Sequence, residues 1–160
     1  MKLGLFRHGE KESEWTHDPL LTLFGQKQAS ALKQSVEKGE LPKPSRLMAS
    51  PKIRAVLTLS PLARSLNLPL EKSEGLDERT NSEDGSQFRK RITKIIESFP
   101  ADSDEIIFLC SHLDWIEEFS NLVPCDTDLH QVPGFSWSTG AFLLFDVKVI
   151  WHLTQKGRLL

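Results

Sequence analysis

Arg7-His8-Gly9-Glu10 sets a guanidinium, an imidazole and a glycine directly behind a short apolar run, Leu3-Gly4-Leu5-Phe6. Such a run reads as a buried first strand, and open α/β sheets bind ligands beyond the carboxyl ends of their strands. Arginine suits two-pronged recognition of phosphate, and neutral histidine is a ready nucleophile near pH 7. Two more segments end in the same kind of chemistry. Arg46-Leu47-Met48-Ala49-Ser50, a candidate second strand, is followed by Pro51 and, one turn into a helix, by Arg54. Glu105-Ile106-Ile107-Phe108-Leu109-Cys110, the plainest buried strand, ends in Ser111-His112. In a parallel sheet these ends share one edge, so two arginines and two histidines converge there. Arg7, Arg54 and a protonated His112 would offset the charge of a phosphoryl group without a metal, and fixed charges of this kind are strong catalytic devices. His8, kept neutral by its cationic neighbours, would attack phosphorus.

The rest of the chain supplies elements to position these groups. A polar loop over 10–20 leads through Thr22 and Gly25 into a helix at 26–36, with Gly39 as its terminating glycine. A helix over 52–66 carries Ile53, Val56, Leu57 and Leu62 on its apolar side. Residues 67–86 read mostly as loop, with Leu68-Pro69-Leu70 as an edge strand. Phe88, Ile92, Ile95 and Ile96 mark a third helix over 85–98, and 114–121 reads as a short fourth. The runs 141–147 and 149–153 read as two closing strands. Alternation of strand and helix through residue 121 predicts a three-layer α/β/α sandwich with a mostly parallel central sheet, in a single domain over 1–160.

Composition narrows the partners. A net charge of -2 gives no basic face for nucleic acid or an anionic membrane, so phosphate recognition must come from a few focused cations. Cys110 and Cys125 are too few and too far apart for a disulfide framework or a zinc site. His17, His130 and His152 share no metal-ligand spacing and read as surface or packing residues. Trp15 and Trp115 closely follow the two motif histidines; lining the pocket mouth is one reading, and partly buried packing is the favoured one. With no run long enough for a signal peptide or a membrane span, the expected compartment is the cytoplasm, the expected state a monomer, and the expected cofactor none.

The blocks together resemble the histidine phosphatase superfamily, which includes the cofactor-dependent phosphoglycerate mutases. Arg7-His8-Gly9-Glu10 matches its signature, and Ser13-Glu14-Trp15-Thr16 loosely echoes the following mutase segment. Leu20-Leu21-Thr22 with Gly25, Gln28 and Ala29 resembles the family's helix entry. Ser50-Pro51 with Arg54-Ala55 and Thr58 matches its second block, and Ser111-His112 its second histidine. Chain length, and Ser138-Thr139-Gly140-Ala141 running into two strands, look most like the small SixA-type phosphohistidine phosphatases. Two features bear on the subfamily. Leu113-Asp114 follows His112 where mutases commonly carry two glycines, and Leu76-Asp77-Glu78-Arg79 resembles the mutase segment that holds the acid.

The resemblance implies a covalent phosphohistidine on His8, with Arg7, Arg54 and His112 as catalytic and substrate-binding groups, and Glu10 and Thr22 as further substrate-binding residues. It makes Glu78 the first candidate for general acid. Asp114 is a second, its other reading being a charge or cap at a helix start. The expected enzyme is a metal-independent phosphatase acting on a phosphorylated protein, phosphohistidine in particular, or on a small phosphometabolite. Two alternatives stand beside it: a mutase-type phosphotransferase, and a phosphoprotein-binding module with little turnover.

Overall fold

The computed structural model describes residues 1–13 and 16–160; the expectation for Trp15 lies outside the described residues. Six strands form one sheet in the order β3-β2-β4-β1-β5-β6. They are β1 (Lys2–Arg7), β2 (Arg46–Ala49), β3 (Leu70–Lys72), β4 (Ile106–Ser111), β5 (Ala141–Asp146) and β6 (His152–Arg158). β1 to β4 pair in parallel, β5 runs antiparallel to β1, and β6 antiparallel to β5. The helices are α1 (Leu23–Glu37), α2 (Ile53–Leu66), α3 (Gly85–Glu97) and α4 (Leu113–Leu122).

Alternation along the strands divides the core between the two faces. Leu3 and Leu5, Ile107 and Leu109, Leu143 and Phe145 join Phe88, Ile92, Trp115 and Phe119 under α3 and α4. Phe6, Phe108, Phe142 and Leu144 join Leu32, Leu59 and Leu62 under α1 and α2. The expected mostly parallel α/β/α sandwich is therefore the observed one. Among the described residues no helix is long and apolar enough to cross a membrane.

Three boundaries differ from the sequence reading by two residues or more. α1 begins at Leu23, because the Thr22 side chain accepts the Gly25 N–H at 3.0 Å and caps the helix. The edge strand falls on Leu70–Lys72, since Asn67 ends α2 in a left-handed turn (φ 52°) and Leu68 N–H still bonds Ala63 O at 3.0 Å. β6 starts at His152, and Val149 and Ile150 are exposed in the connection. The apolar residues 149–151 raised a strand signal there, but pairing with β5 selects a polar edge segment instead.

Candidate active site

β1 and β4 are parallel neighbours, with Arg7 opposite Ser111 in register, so His8 and His112 leave the sheet side by side. Their ring centroids are 5.2 Å apart at 56°. His8 N–H bonds Ser111 O at 3.1 Å and Ser50 N–H bonds Cys110 O at 3.0 Å, which ties the ends of β1, β4 and β2 together. The three strand ends converge as the sequence order requires.

The loop after β1 is held from several sides. Gly9 N–H bonds Thr58 Oγ1 at 2.9 Å, and that hydroxyl donates to Arg54 O at 2.7 Å, linking the His8 loop to the turn of α2 that bears Arg54. Buried Gln28 accepts Glu10 N–H at 2.8 Å and donates to Thr139 O at 2.8 Å. A Cβ at Gly25 would lie 2.1 Å from Glu10 O, so the start of α1 can approach this loop only as glycine. At Gly140, φ is +74° and a Cβ would meet Gln28 Nε2 at 2.6 Å, while its N–H bonds His8 O at 3.1 Å.

Arg7, His8, Lys11, Arg54, Glu78 and His112 line a cavity of about 440 Å³, with Thr16, His17, Pro19, Leu113, Asp114 and Glu117 completing it. The expected core of the site is thus assembled in one place. His8, Arg54 and His112 are buried, at 3%, 4% and 2% exposure. Among the described residues, Arg7 Nε, Arg54 Nε and His112 Nδ1 are buried polar atoms with no hydrogen-bond partner. Each such group costs roughly 1–3 kcal/mol. The three side chains that carry them line one cavity, which suits it to a ligand that brings oxygen atoms.

Hydrogen bonding fixes the histidines differently. His8 Nδ1 lies 2.8 Å from Gly9 O, so Nδ1 carries the proton and Nε2 keeps a free lone pair. Burial, reinforced by Arg54, Arg7 and Lys11, lowers the His8 pKa to about 4 against the opposing Gly9 bond. His8 is neutral at pH 7, as a nucleophile must be. His112, expected to be protonated against a phosphoryl group, starts out neutral before one is bound. Burial, then Arg54, His8, Lys52 and Arg7, push it down to about 2, and it too is neutral at pH 7.

The cations are met by carboxylates. Glu78 accepts from Arg54 at 2.8 Å and lies 3.8 Å from Lys52, while Asp18 lies 3.5 Å from Arg54 and accepts Ile53 N–H at 3.1 Å. Arg7 donates to Trp137 O at 2.5 Å. Asp114 accepts from Arg79 N and Trp115 N, each at 2.8 Å, so it organises the start of α4 as well as lining the cavity. Cys110 is fully buried, its thiol pushed up to about 12 by desolvation, which leaves it inert. Among the described residues, no group of three His, Cys, Asp or Glu side chains is placed to hold a metal ion.

Several expectations move. Glu10 and Thr22, expected on the substrate, do not line the cavity; the Thr22 hydroxyl donates to Glu10 Oε1 at 2.8 Å, and the pair braces the entry to α1. His17, read as a surface or packing residue, lines the cavity mouth. Trp115 is fully buried, stacked on Phe119 at 5.4 Å, and its indole donates to Gly75 O at 2.7 Å. Asp18, Lys11, Glu117 and Asp77 escaped the sequence reading as site residues. Asp77, 8% exposed, reaches the site through Ser50, and Arg91 on α3 secures the segment by donating to the Asp77 carbonyl at 2.9 Å.

A domain on a mostly parallel sheet, with two histidines and two arginines gathered at the carboxyl edge of its parallel strands, defines a class of phosphoryl-handling proteins. A profile of the histidine phosphatase superfamily (branch 1) matches residues 3–83, and the chain belongs to that family. No curated protein sequence matches it. Among solved structures it is similar to phosphoserine phosphatase from Entamoeba histolytica in complex with 3-phosphoglyceric acid. That match is at 18% identity and TM-score 0.71, over 98% of this chain and 96% of that one. The protein histidine phosphatase SixA complexed with tungstate is similar at 18% identity and TM-score 0.70, over 99% and 97%. A mycobacterial glucosyl-3-phosphoglycerate phosphatase with inorganic phosphate is similar at 17% identity and TM-score 0.68, over 96% and 95%.

Proposed function

We propose that this protein is a metal-independent phosphatase that forms a covalent phosphohistidine on His8 and takes a phosphorylated protein, phosphohistidine in particular, as substrate. One observation carries the reading. His8 Nδ1 is committed to Gly9 O, so Nε2 is a bare nucleophile in a cavity that also holds the unpartnered Arg7 Nε, Arg54 Nε and His112 Nδ1. Nε2 attacks phosphorus; the P–N bond forms as the bond to the leaving group breaks. Arg7 and Arg54 hold the equatorial oxygens, where charge spreads in the transition state. Water then attacks phosphorus, the P–N bond breaks and phosphate leaves.

Exposed Thr16, His17, Asp114 and Glu117 surround the mouth, so water and a protein segment have access. That favours hydrolysis over a transferase, which must exclude water. Small phosphomonoesters are a second reading, favoured by Glu78: its carboxyl lines the cavity next to Arg54, where an alkoxide leaving group would need a proton.

The test is chemical. Enzyme quenched during turnover should carry acid-labile, base-stable phosphate on His8, and His8→Ala should lose both label and turnover while keeping its folded circular dichroism spectrum. Label on Ser111 or Cys110, or full inhibition by EDTA that zinc or magnesium reverses, would overturn the mechanism. Rates on phosphohistidine protein, sugar phosphates, nucleotides and p-nitrophenyl phosphate rank the substrate classes.

A further inference from the structure

His112 sits at the end of a chain of hydrogen bonds that the phosphatase reading leaves unused. Its Nε2 lies 2.7 Å from Ser50 Oγ, and Ser50 Oγ donates to Asp77 Oδ1 at 3.0 Å. Lys52 N–H also bonds Ser50 Oγ, at 3.2 Å. A hydroxyl has one proton and two lone pairs. The proton goes to the Asp77 carboxylate, and one lone pair takes the Lys52 N–H. The second lone pair must then accept from His112, so His112 carries its proton on Nε2 and turns an unprotonated Nδ1 away from Ser50. That Nδ1 is a buried atom without a partner. Asp77 is 8% exposed, its Oδ1 also accepts Glu78 N–H at 2.9 Å, and it lies 3.6 Å from His112 Nε2.

A lone pair facing a phosphoryl dianion is repulsive, whereas a lone pair facing a protonated phosphoryl oxygen can take the proton. We propose that Asp77, acting through the Ser50 hydroxyl, is a positioning residue that sets the His112 tautomer and stabilises the imidazolium formed when Nδ1 accepts a proton from a bound phosphoryl group. The O–H bond of the phosphoryl monoanion breaks and an N–H bond forms on His112, leaving a dianionic phosphoryl group against a cationic donor. This rests on the phosphatase reading only for the identity of the ligand; the tautomer follows from the hydrogen-bond inventory.

Among the described residues, the other titratable and charged groups that act on His112 or share its cavity are Lys52 just before α2, Arg54 on α2, Arg7 and His8 at the end of β1, Lys11 and His17 in the loop that follows, Glu78 beside Asp77, and Asp114 and Glu117 on α4. The cations oppose its protonation, and Asp77 is the carboxylate joined to the ring through a single hydroxyl. An opposite charge this close moves a pKa by about one unit or more.

The test uses the whole protein with 15N-labelled histidine. Asp77→Asn keeps an oxygen for the Ser50 and Glu78 donors but removes the charge. With inorganic phosphate bound, the pH at which His112 loses its Nδ1 proton should fall by about one unit or more relative to the parent. An unchanged midpoint overturns the proposal. Ser50→Ala supplies a second arm that needs no ligand: the neutral ring should lose its Nε2–H preference and show Nδ1–H signal. A ring that stays wholly Nε2–H without the hydroxyl also overturns the proposal. If phosphate leaves the His112 signals of the parent unmoved, the phosphatase reading fails, and the Ser50→Ala tautomer still decides the role of the relay.

Discussion

The floor and the rim of the cavity are built by opposite rules. On the floor, His8, Arg54 and His112 are almost wholly buried, and Arg54 Nε and His112 Nδ1 are left without partners. Toward solvent, Glu78 on the rim and Asp18, which pairs with Arg54 without lining the cavity, have side chains 39% and 38% exposed, and their oxygens are occupied by Ile53 N–H, Arg54 and Lys52. Desolvated charges interact strongly, and water screens exposed ones. Floor groups should therefore act on the chemical step, and rim groups on how substrate arrives and leaves. Glu78 belongs to both regions, because it is half-buried and bonded to the buried Arg54.

The largest effect that sharpens this boundary comes from Glu78→Gln. If Glu78 donates a proton to the leaving group, the variant should slow hydrolysis of sugar phosphates by at least ~10²-fold. The loss should shrink with p-nitrophenyl phosphate, whose phenolate leaves unprotonated, and nearly vanish with phosphohistidine protein. A uniform loss across the three would make Glu78 a positioning group for Arg54. Parent-like rates on sugar phosphates would place it wholly with the rim.

A different boundary separates what was legible in the sequence from what was not. Arg7, His8, Arg54 and His112 could be placed because strand ends and a first helical turn have predictable directions, and a parallel sheet puts them on one edge. Partners joined across long separations carry no such signal. Asp18 reaches Ile53 N–H from 35 residues away, and Asp77 reaches Ser50 from 27. Glu10 and Thr22 show the converse. They belong to recognisable blocks, but their side chains bond each other, so motif membership reflected the seating of α1. In the fold, β1, β4 and β5 were legible because each is buried on both faces and reads as a continuous apolar run. β6, His-Leu-Thr-Gln-Lys-Gly-Arg, is a mostly exposed edge whose pairing with β5 is invisible to periodicity.

A smaller effect is expected on stability, again from the floor. His8 and His112 fold with pKa values of about 4 and about 2, below the ordinary 6.5. Above pH 6.5 both are neutral in the folded and unfolded chains. As pH falls below 6.5 the unfolded chain binds protons that the folded chain refuses, so stability drops; for His8 the drop ends near pH 4, and for His112 near pH 2. Between pH 7 and 5 each histidine should remove on the order of 2 kcal/mol. Urea unfolding of His8→Asn should lose about that much less than the parent over the same interval. Equal losses would mean that the His8 ring is not held neutral by its surroundings.

The smallest effect belongs to Glu117, an exposed carboxylate on α4 that lines the cavity and faces Arg7, whose pKa it raises against the lowering by burial. It touches neither histidine of the floor by hydrogen bond or ion pair. Its charge should weakly repel an incoming phosphoryl anion and draw on the Arg7 guanidinium from the solvent side. Exposed pairs of this kind are worth about 0.2–1 kcal/mol, so Glu117→Gln should lower KM by about two- to fivefold at low salt with kcat unchanged. At about 1 M salt, where the screening length is near 3 Å, the two enzymes should converge. A tenfold change in kcat, or a KM difference that survives high salt, would move Glu117 from the rim to the reacting groups and dissolve the division between the two regions.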